Sequence, residues 1–396
     1  MSRDKMGVTV QDITNIDRLR TLKLVAGAGG LDRAVAKVGI LDFEFTKAGM
    51  AHCTDNHWRP NEFILSTFLY AKDDPSFLTD AVKKLFLCKS SGIAIKNVFS
   101  LEIEKEAIRY ANKNNFPIFV FTDESLFFED AIILVNELIK SAHDADGAER
   151  IIASILHNDC DKMNIQRMAL EINPSLCNTF IAFYIALNDQ SDINRLPVLL
   201  SRWASRSSAL IRHMSGLFYV YSAPGGNLAD SRKILSDLCV DTGLQGKNIC
   251  VGESNVQYFL YNFKKALLQC WYAAVHASIT GRSRSRYDEL GVYKLLFPKA
   301  ETEWADDFYN SIITPIIEHD IQNGTDLLGA AMVYEECRGS VRDAAHVLST
   351  HENTVRYRIA GIRKILSIKP DDPSFEEQLS LAVKLRRIKT KMHDDA

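Results

Sequence analysis

One stretch near the carboxyl end decides how this chain is organised: Gly339-Ser-Val-Arg-Asp-Ala-Ala-His-Val-Leu-Ser-Thr-His-Glu-Asn-Thr-Val-Arg-Tyr-Arg-Ile-Ala-Gly-Ile-Arg-Lys-Ile-Leu366. Apolar or small residues fall there at helical spacing in two groups, Val341, Ala344, Ala345 and Leu348, then Val355, Ile359, Ile362 and Leu366. Only Ser349, Thr350 and His351 separate the groups, which leaves room for a tight turn. The pattern predicts two amphipathic helices that share a small core and cross steeply, as in a helix-turn-helix pair.

The first of these helices has a clear start signal. Ser340 can accept hydrogen bonds from the free N–H groups of the first turn, and Asp343 follows three residues later as a capping-box partner. Gly339 is suited to end a preceding helix, which we predict over residues 326–338. A last amphipathic helix, over residues 375–389, is expected to brace the pair.

The outward face of the second helix is rich in side chains that can donate to phosphates and base edges. They are His351, Asn353, Thr354, Arg356, Tyr357, Arg358, Arg363 and Lys364, with Glu352 as an acid among them. This composition is typical of a recognition helix. A solvated, charged helix on a helical hairpin is the alternative, but the helix cap, the tight turn and the small Ala345 at the crossing favour DNA binding.

Three segments of this region resemble a known family. They are His351-Glu-Asn-Thr-Val-Arg-Tyr-Arg-Ile, Pro370-Asp-Asp-Pro and Gln378-Leu-Ser-Leu-Ala-Val-Lys-Leu385, and they are similar to the C-terminal helix-turn-helix domain of the PucR (purine catabolism regulator) family. The chain departs from the family pattern at Glu352, where Arg is usual, so we expect a lost phosphate contact or an altered choice of base. Gly361 inside the predicted recognition helix costs about 1 kcal/mol relative to Ala.

Length and charge are consistent with a multidomain protein that contacts DNA locally. The 396 residues, of which 46% are hydrophobic, allow two or three domains with cores of their own. The formal net charge of −3 means that DNA contact needs a local basic surface. Residues 351–369 supply one, because Arg356, Arg358, Arg363, Lys364 and Lys369 outnumber the single acid there.

Cysteine spacing and hydropathy predict a cytosolic protein without a metal. The eight cysteines are scattered, without a Cys-x-x-Cys pair, and no signal peptide is recognisable before them. His52, Cys53 and His57 cluster, but no second ligand pair follows at zinc spacing. No apolar run reaches the roughly 18 residues of a membrane span. We therefore expect neither a metal nor another cofactor, and no membrane insertion.

Residues 7–121 alternate between strand-like and helical patterns. Residues 8–13 lead into a short helix-like stretch. Strands are predicted over residues 22–26, 37–42, 62–66, 93–95 and 116–121, and helices over residues 76–88 and 101–114. This alternation predicts an α/β domain with a largely parallel sheet. Gly27-Ala-Gly-Gly30 lacks the ending of a phosphate-binding loop, so a plain turn is expected there.

The same region resembles the N-terminal PucR domain. The matching segments are Val8-Thr-Val-Gln-Asp12, Gly27, Leu31-Asp-Arg-Ala-Val35, Trp58-Arg-Pro-Asn-Glu-Phe-Ile-Leu-Ser-Thr67 and Asn115-Phe-Pro-Ile-Phe119, with Asn61 where the family usually has Gly. The resemblance implies that this domain senses a small metabolite from purine, amino-acid or related nitrogen catabolism. Trp58, Glu62, Ser66 and Thr67 are candidates for an effector pocket, although a satisfied core explains them equally well.

The segment that follows is predicted to be a very apolar helix over residues 126–142. A helix so apolar must bury nearly its whole surface, so it is either a dimer helix or a connector packed on its own chain. The polar residues 143–147 predict a break before a further helix over residues 149–157.

The middle of the chain predicts a mixed α+β domain. Strands are expected over residues 177–187, 216–222 and 248–251, helices over residues 196–209, 228–238 and 256–279, and a basic loop at Arg282-Ser-Arg-Ser-Arg286. The order of these elements, closed by Tyr287-Asp-Glu-Leu-Gly-Val-Tyr-Lys-Leu-Leu296, resembles the degenerate GGDEF-like domain of many PucR regulators. Because no metal-binding acid pair follows Gly225-Gly226, we expect no nucleotide cyclase activity.

Together these features predict an α/β multidomain protein. The expected parts are an α/β sensor domain (1–125), a helical linker and possible dimer helix (126–148), a GGDEF-like domain (149–300), a linker (301–324) and an all-α helix-turn-helix domain (325–396). Since signatures of hydrolases, metalloproteases, P-loops and kinases are missing, the interpretation is a metabolite-responsive regulator, not an enzyme, that binds a double-stranded DNA operator as a homodimer or higher homo-oligomer. The alternative is a signalling or nucleotide-processing protein whose helix-turn-helix serves dimerisation, which nucleotide turnover by residues 149–300 would favour.

Overall fold

The computed structural model describes residues 7–41, 59–72, 74–187, 207–224, 227–245, 249–369 and 371–394. The chain divides into two compact units. The first unit comprises Met1–Leu176, Asp189–His213 and Arg232–Leu244, and the second comprises Cys177–Asn188, Met214–Ser231 and Gln245–Ala396.

A largely parallel sheet forms the centre of the first unit, as the alternating pattern predicts. Its strands are β1 (Lys23–Ala26), β2 (Lys37–Ile40), β3 (Glu62–Ser66), β4 (Gly92–Lys96) and β5 (Ile118–Phe121). They lie in the order β1-β5-β4-β3-β2, with β2 to β5 parallel and β1 antiparallel to β5. The α/β class is therefore confirmed.

Helices cover both faces of this sheet at its central strands β3, β4 and β5, and the residues of these strands are therefore buried on both sides. The helices of the first unit are α1 (Val10–Thr14), α2 (Ser76–Leu87), α3 (Lys105–Lys113), α4 (Phe128–His157), α5 (Lys162–Ile172) and α6 (Ser231–Thr242). Successive strand residues point to opposite faces, so Phe63 packs with Val135 of α4 while Ile64 packs with Leu85 of α2.

Helix α1 begins inside residues 8–13 and not after them. The cause is a capping box at Thr9, whose hydroxyl accepts from the Asp12 N–H at 3.3 Å while the Asp12 carboxylate accepts from the Thr9 N–H at 2.8 Å. The capping box thus favours a helix more strongly than the β-branched residues of the segment favour a strand.

The Gly27–Gly30 segment is a turn, as expected, and its glycines are needed for close packing. Gly27 has a φ of 77°, and a Cβ added there would lie 1.9 Å from the Phe116 carbonyl oxygen. The Gly27 N–H donates to the Asn112 side chain at 2.8 Å. Two of the segments that resemble the PucR domain, at Gly27 and at residues 115–119, are therefore packed directly on each other.

Helix α4 runs without interruption from Phe128 to His157, so the predicted break at residues 143–147 is wrong. Arg212 of strand β7 (Ser208–His213) holds the continuing part, because its guanidinium contacts Glu149 at 2.7 Å and Asp146 at 3.5 Å. The helix predicted over residues 196–209 lies partly outside the described residues, and its end at Ser208 and Ala209 is strand β7. The apolar stripe of α4, including Ala131, Val135 and Leu138, is buried in the core of its own unit, as in the connector interpretation.

The second unit contains an antiparallel sheet next to a parallel edge strand. Its strands are β6 (Phe180–Leu187), β8 (Gly216–Ser222), β9 (Ile249–Glu253) and β10 (Arg284–Arg286), hydrogen-bonded in the order β10-β9-β6-β8. Strand β6 is antiparallel to β8 and β9, whereas β9 and β10 are parallel.

Two predictions for this region are wrong. The basic run at residues 282–286 is not all loop, because Arg284–Arg286 pairs with β9 and Arg284 forms an ion pair with the buried Glu253. The helix predicted from residue 256 begins only at Phe263 as α7 (Phe263–Ile279), after a short 3-10 turn at Leu260–Asn262.

The carboxyl part of the second unit is helical, as predicted. Its helices are α8 (Tyr293–Leu296), α9 (Glu303–Asn323), α10 (Leu327–Glu336), α11 (Val341–Val347), α12 (Glu352–Ile365) and α13 (Ser374–Asp394). Helix α9 occupies the segment expected to be a linker and buries Ile313 and Ile316 in the core of the helix-turn-helix. Helix α13 contributes Leu379 to that core, and its Leu385 packs among residues of the sheet-bearing part of the unit, so one helix joins the two parts.

Candidate nucleic-acid interface

Helices α11 and α12 form the helix-turn-helix that the sequence predicts. The Ser340 hydroxyl accepts from the Asp343 N–H at 3.3 Å and caps α11. The turn is closed by the Thr350 N–H, which donates to the Ala345 carbonyl at 3.0 Å, and Ser349 adopts a left-handed φ of 50°. Ala344, Val355 and Ile362 are buried in a common core, so the inward faces are as expected.

The amino end of α12 is capped by His351. Its Nδ1 accepts from the Asn353 N–H at 3.1 Å, which requires an unprotonated Nδ1. The cap fixes the backbone at the position where a recognition helix presents its first side chains to the base edges.

An exposed stripe follows α12 at helical spacing, and we call it the reading face. It consists of His351, Asn353, Arg356, Tyr357, Ala360 and Lys364. The Tyr357 side chain is 81% exposed although it is aromatic. A large aromatic residue with so little burial makes no contribution to the core, which is consistent with a role in contacting a partner.

Three of the sequence candidates are not fully on the reading face. Thr354 and Arg358 are half-buried at its border. The Arg363 guanidinium lies 4.3 Å from the Phe375 ring centroid and 3.5 Å from the Glu376 carboxylate, so it is turned towards α13. Its predicted outward orientation is wrong, because a cation over an aromatic ring at the helix–helix contact is a better position than open water.

The contact of Glu352 with Arg356 was not predicted from the sequence. The Glu352 Oε2 accepts from Nη2 of Arg356 at 2.8 Å, and the Asn353 Oδ1 accepts from Nη1 of Arg356 at 3.1 Å. The spacing of four residues between an acid and a following base was the available signal.

A groove of about 560 Å³ runs beside the reading face. It is lined by Val341, Arg356, Ile359, Ala360, Arg363, Lys364, Ser367 and Ile368. Arg342 and His346 are exposed on α11. Basic side chains therefore occur on both helices of the pair, as a surface that follows a phosphate backbone requires.

The effector candidates of the first unit are spread along strand β3. The Glu62 carboxylate, at the amino end, lies 3.6 Å from Nζ of Lys37 and accepts from the Arg59 N–H. Ser66 is at the carboxyl end, about 13 Å away by strand rise, and its hydroxyl accepts from the Phe68 N–H. Thr67 adjoins Ser66, and Trp58 lies outside the described residues. Glu62 is thus not brought together with Ser66 and Thr67.

Comparison with known proteins matches both ends of the chain. Residues 12–139 match the purine catabolism regulatory protein-like family, and residues 327–385 match the PucR C-terminal helix-turn-helix domain. Both terminal domains are PucR-family domains. A chain with a PucR-type N-terminal domain and a PucR-type helix-turn-helix is a transcriptional regulator.

Other comparisons add little to this PucR assignment. A crystal structure of a regulator of polyketide synthase expression from Bifidobacterium adolescentis is 16% identical, over 62% of this chain and 99% of that one, with a TM-score of 0.29. That score is too low to support the fold described above. A search of curated proteins found no match.

Two further properties concern the part of the chain that the structure describes. Its helices include none that is long and apolar enough to cross a membrane. Within the same residues no group of His, Cys, Asp and Glu side chains could hold a metal ion. His52, Cys53 and His57 lie outside the described residues.

Proposed function

We propose that this PucR-family chain is a cytosolic regulator, not an enzyme, that binds an operator in double-stranded DNA and responds to a small metabolite. It controls a catabolic operon of purine, amino-acid or related nitrogen metabolism. The observation that carries the proposal is the reading face, in which Asn353, Arg356, Tyr357 and Lys364 are exposed on a helix whose opposite face is buried.

Helix α12 enters the major groove with its amino end first, as recognition helices do. His351 and Asn353 contact base edges, while Thr354, Arg356, Tyr357 and Arg358 divide between bases and phosphates. Lys364 is one to two turns further along the exposed side and contacts phosphate. Arg363 contributes through its packing on α13.

The operator is proposed to be two-fold symmetric and bound by a homodimer or higher homo-oligomer. A single helix-turn-helix buries too little surface for a tight specific complex, so paired half-sites about one helical turn apart are the usual solution. The apolar stripe of α4 is largely covered within its own unit, so this helix is a weaker candidate for the dimer interface than its composition indicates.

The effector is proposed to bind in the first unit at the carboxyl edge of the parallel strands. Ser66 and Thr67 lie at that edge, which is where open α/β sheets bind their ligands. Glu62 and Trp58 remain candidates from the sequence, but Glu62 is at the opposite end of β3 and already has partners. The GGDEF-like middle domain is proposed to lack catalytic activity and to link the sensor to the DNA-binding domain.

Footprinting tests the proposal. Purified full-length protein is incubated, at stated salt, with DNA upstream of its own gene and of neighbouring operons, with and without metabolite extracts. We expect a protected, two-fold symmetric site. Arg356→Ala removes a charged contact and should weaken binding by about 1–3 kcal/mol, roughly 5- to 150-fold.

Two results would count against the proposal. Unchanged binding by the Arg356→Ala variant would remove that residue from the interface. The absence of protection on every fragment, with or without extract, would contradict operator binding by this chain.

A further inference from the structure

The amino end of α12 contains a three-residue cluster, made of Glu352, Asn353 and Arg356. The Arg356 guanidinium is held from two sides, by the Glu352 carboxylate at 2.8 Å and by the Asn353 side-chain oxygen at 3.1 Å. The cluster is at the surface, with the Arg356 side chain 58% and the Glu352 side chain 40% exposed. It therefore faces whatever approaches the reading face.

The contact with Arg356 determines which group Asn353 presents. A guanidinium can only donate hydrogen bonds, so the Asn353 atom that faces it is the oxygen. The Asn353 NH₂ group is then directed away from Arg356. An asparagine with both groups free pairs with adenine, which offers one donor and one acceptor. In Asn353 the contact with Arg356 uses one of the two lone pairs of the oxygen, so the group left with its full capacity is the NH₂ donor.

The same contact orients Arg356. A guanidinium has five N–H donors, and the two contacts with Glu352 and Asn353 leave the others for DNA. The cluster as a whole then presents donors, and the base with two acceptors side by side in the major groove is guanine, through O6 and N7. Without Glu352, the long arginine side chain is free to turn to the nearest phosphate instead.

Glu352 also acts through its charge. A carboxylate at the first turn of α12 is favoured by the helix dipole, but it is repelled by any phosphate that Arg356 could otherwise contact. This repulsion is the same for every DNA sequence. It lowers binding to DNA in general, whereas the oriented Arg356 raises binding to the correct base.

We propose that Glu352 is a positioning residue that holds Arg356 against Asn353, so that the cluster selects guanine-containing sites and discriminates against unrelated DNA. This inference rests on the proposed function and deepens it. A plain helix-stabilising pair with the same spacing predicts instead no change in sequence preference when the acid is removed.

The test compares sequence preference between variants of the full-length protein. Wild type, Glu352→Ala and Glu352→Gln are each used to select binding sites from random double-stranded DNA. Affinities for the wild-type site and for unrelated DNA are then measured over a range of salt concentrations. Glu318→Gln is the matched control, because it removes the same charge from an exposed position on α9.

We expect a guanine position in the wild-type motif that weakens or disappears with Glu352→Ala. The ratio of specific to non-specific affinity should fall at least threefold, and non-specific binding should gain about one unit of salt slope as Arg356 turns to phosphate. Glu352→Gln keeps an acceptor for Arg356 and should give an intermediate result. Circular dichroism of each variant checks that the helices are intact.

Several outcomes would overturn the inference. An identical motif and an affinity ratio within twofold of wild type for Glu352→Ala would show that Glu352 does not position Arg356. A parallel rise in specific and non-specific binding, equal to that of Glu318→Gln, would reduce its role to net charge. Failure of the wild type to enrich any motif would instead refute the proposed DNA-binding function, and the inference with it.

Discussion

An ion-pair network with little exposure to water fastens helix α13 to α10, and breaking it should loosen the helix-turn-helix domain. The Glu335 carboxylate of α10 accepts from Nζ of Lys384 and lies 3.3 Å from the Arg387 guanidinium. The three side chains are only 11%, 17% and 12% exposed. Glu335→Ala would leave two cations with little access to water and without their shared carboxylate.

The size of the effect follows from these contacts. Removing one partner of a buried pair usually costs about 3–5 kcal/mol. Arg387 keeps Glu336 at 2.8 Å and the Met332 carbonyl at 2.9 Å, which softens the loss. We therefore expect Glu335→Ala to lower the local stability of α10 and α13 by about 2–3 kcal/mol. At 1.4 kcal/mol per factor of ten, amide exchange in these helices should become roughly 30- to 150-fold faster.

Hydrogen exchange on the full-length protein measures this change helix by helix. Asp306→Ala is the matched control, since Asp306 also pairs with a lysine of α13, Lys389, but its side chain is 52% exposed. Such exposed pairs contribute about 0.2–1 kcal/mol to stability, so Asp306→Ala should accelerate amide exchange by no more than about fivefold. If Glu335→Ala accelerated exchange no more than Asp306→Ala does, burial would not be what makes this network important.

Two further predictions concern the cores of the two units. Gly27→Ala should destabilise the first unit by more than about 2 kcal/mol, because it adds both the cost of a left-handed backbone and a clash with Phe116. Gly243→Ala is the control, since Gly243 has a φ of 68° in open space and should show the backbone cost alone. Equal losses of stability in thermal unfolding would contradict the packing argument. Burial, with a smaller effect of nearby Arg282, lowers the pKa of His276 below its ordinary value of 6.5. The unfolded chain therefore binds more protons than the folded chain, and α7 should lose stability as the pH falls below 6.5. His276→Gln should make hydrogen exchange in α7 less dependent on pH, and an unchanged pH profile of this variant would exclude His276 as the source.

The helix-turn-helix was predictable because its signals are local. The Ser340 cap, the three-residue turn and the apolar spacing that buries Ala344 and Val355 depend on residues a few positions apart. Strand β5 was equally predictable, since a strand buried on both faces is an uninterrupted apolar run, as Ile118–Phe121 is. Local physics therefore sufficed for the fold class and for most of the reading face.

The predictions that were wrong concern segments whose structure depends on residues far away in the chain. The break expected at residues 143–147 is absent because Arg212, more than 60 residues away in the chain, pairs with Glu149 and Asp146. Arg284 and its neighbours form a strand because β9 offers an unpaired edge and Glu253 a buried carboxylate. Arg363 leaves the reading face because Phe375 provides an aromatic ring on another helix.

By itself, the sequence determined the α/β class of the first unit and the helix-turn-helix, because caps, turns and apolar periodicity act between neighbours in the chain. Its motifs also determined that both terminal domains are PucR-family domains. Tertiary structure alone decided that α13 joins two cores, that Arg284 pairs with Glu253, and that Arg363 packs on Phe375. The physical reason is that charged side chains are long and rotatable. Their positions are fixed by the nearest partner in space, and a linear pattern does not specify that partner.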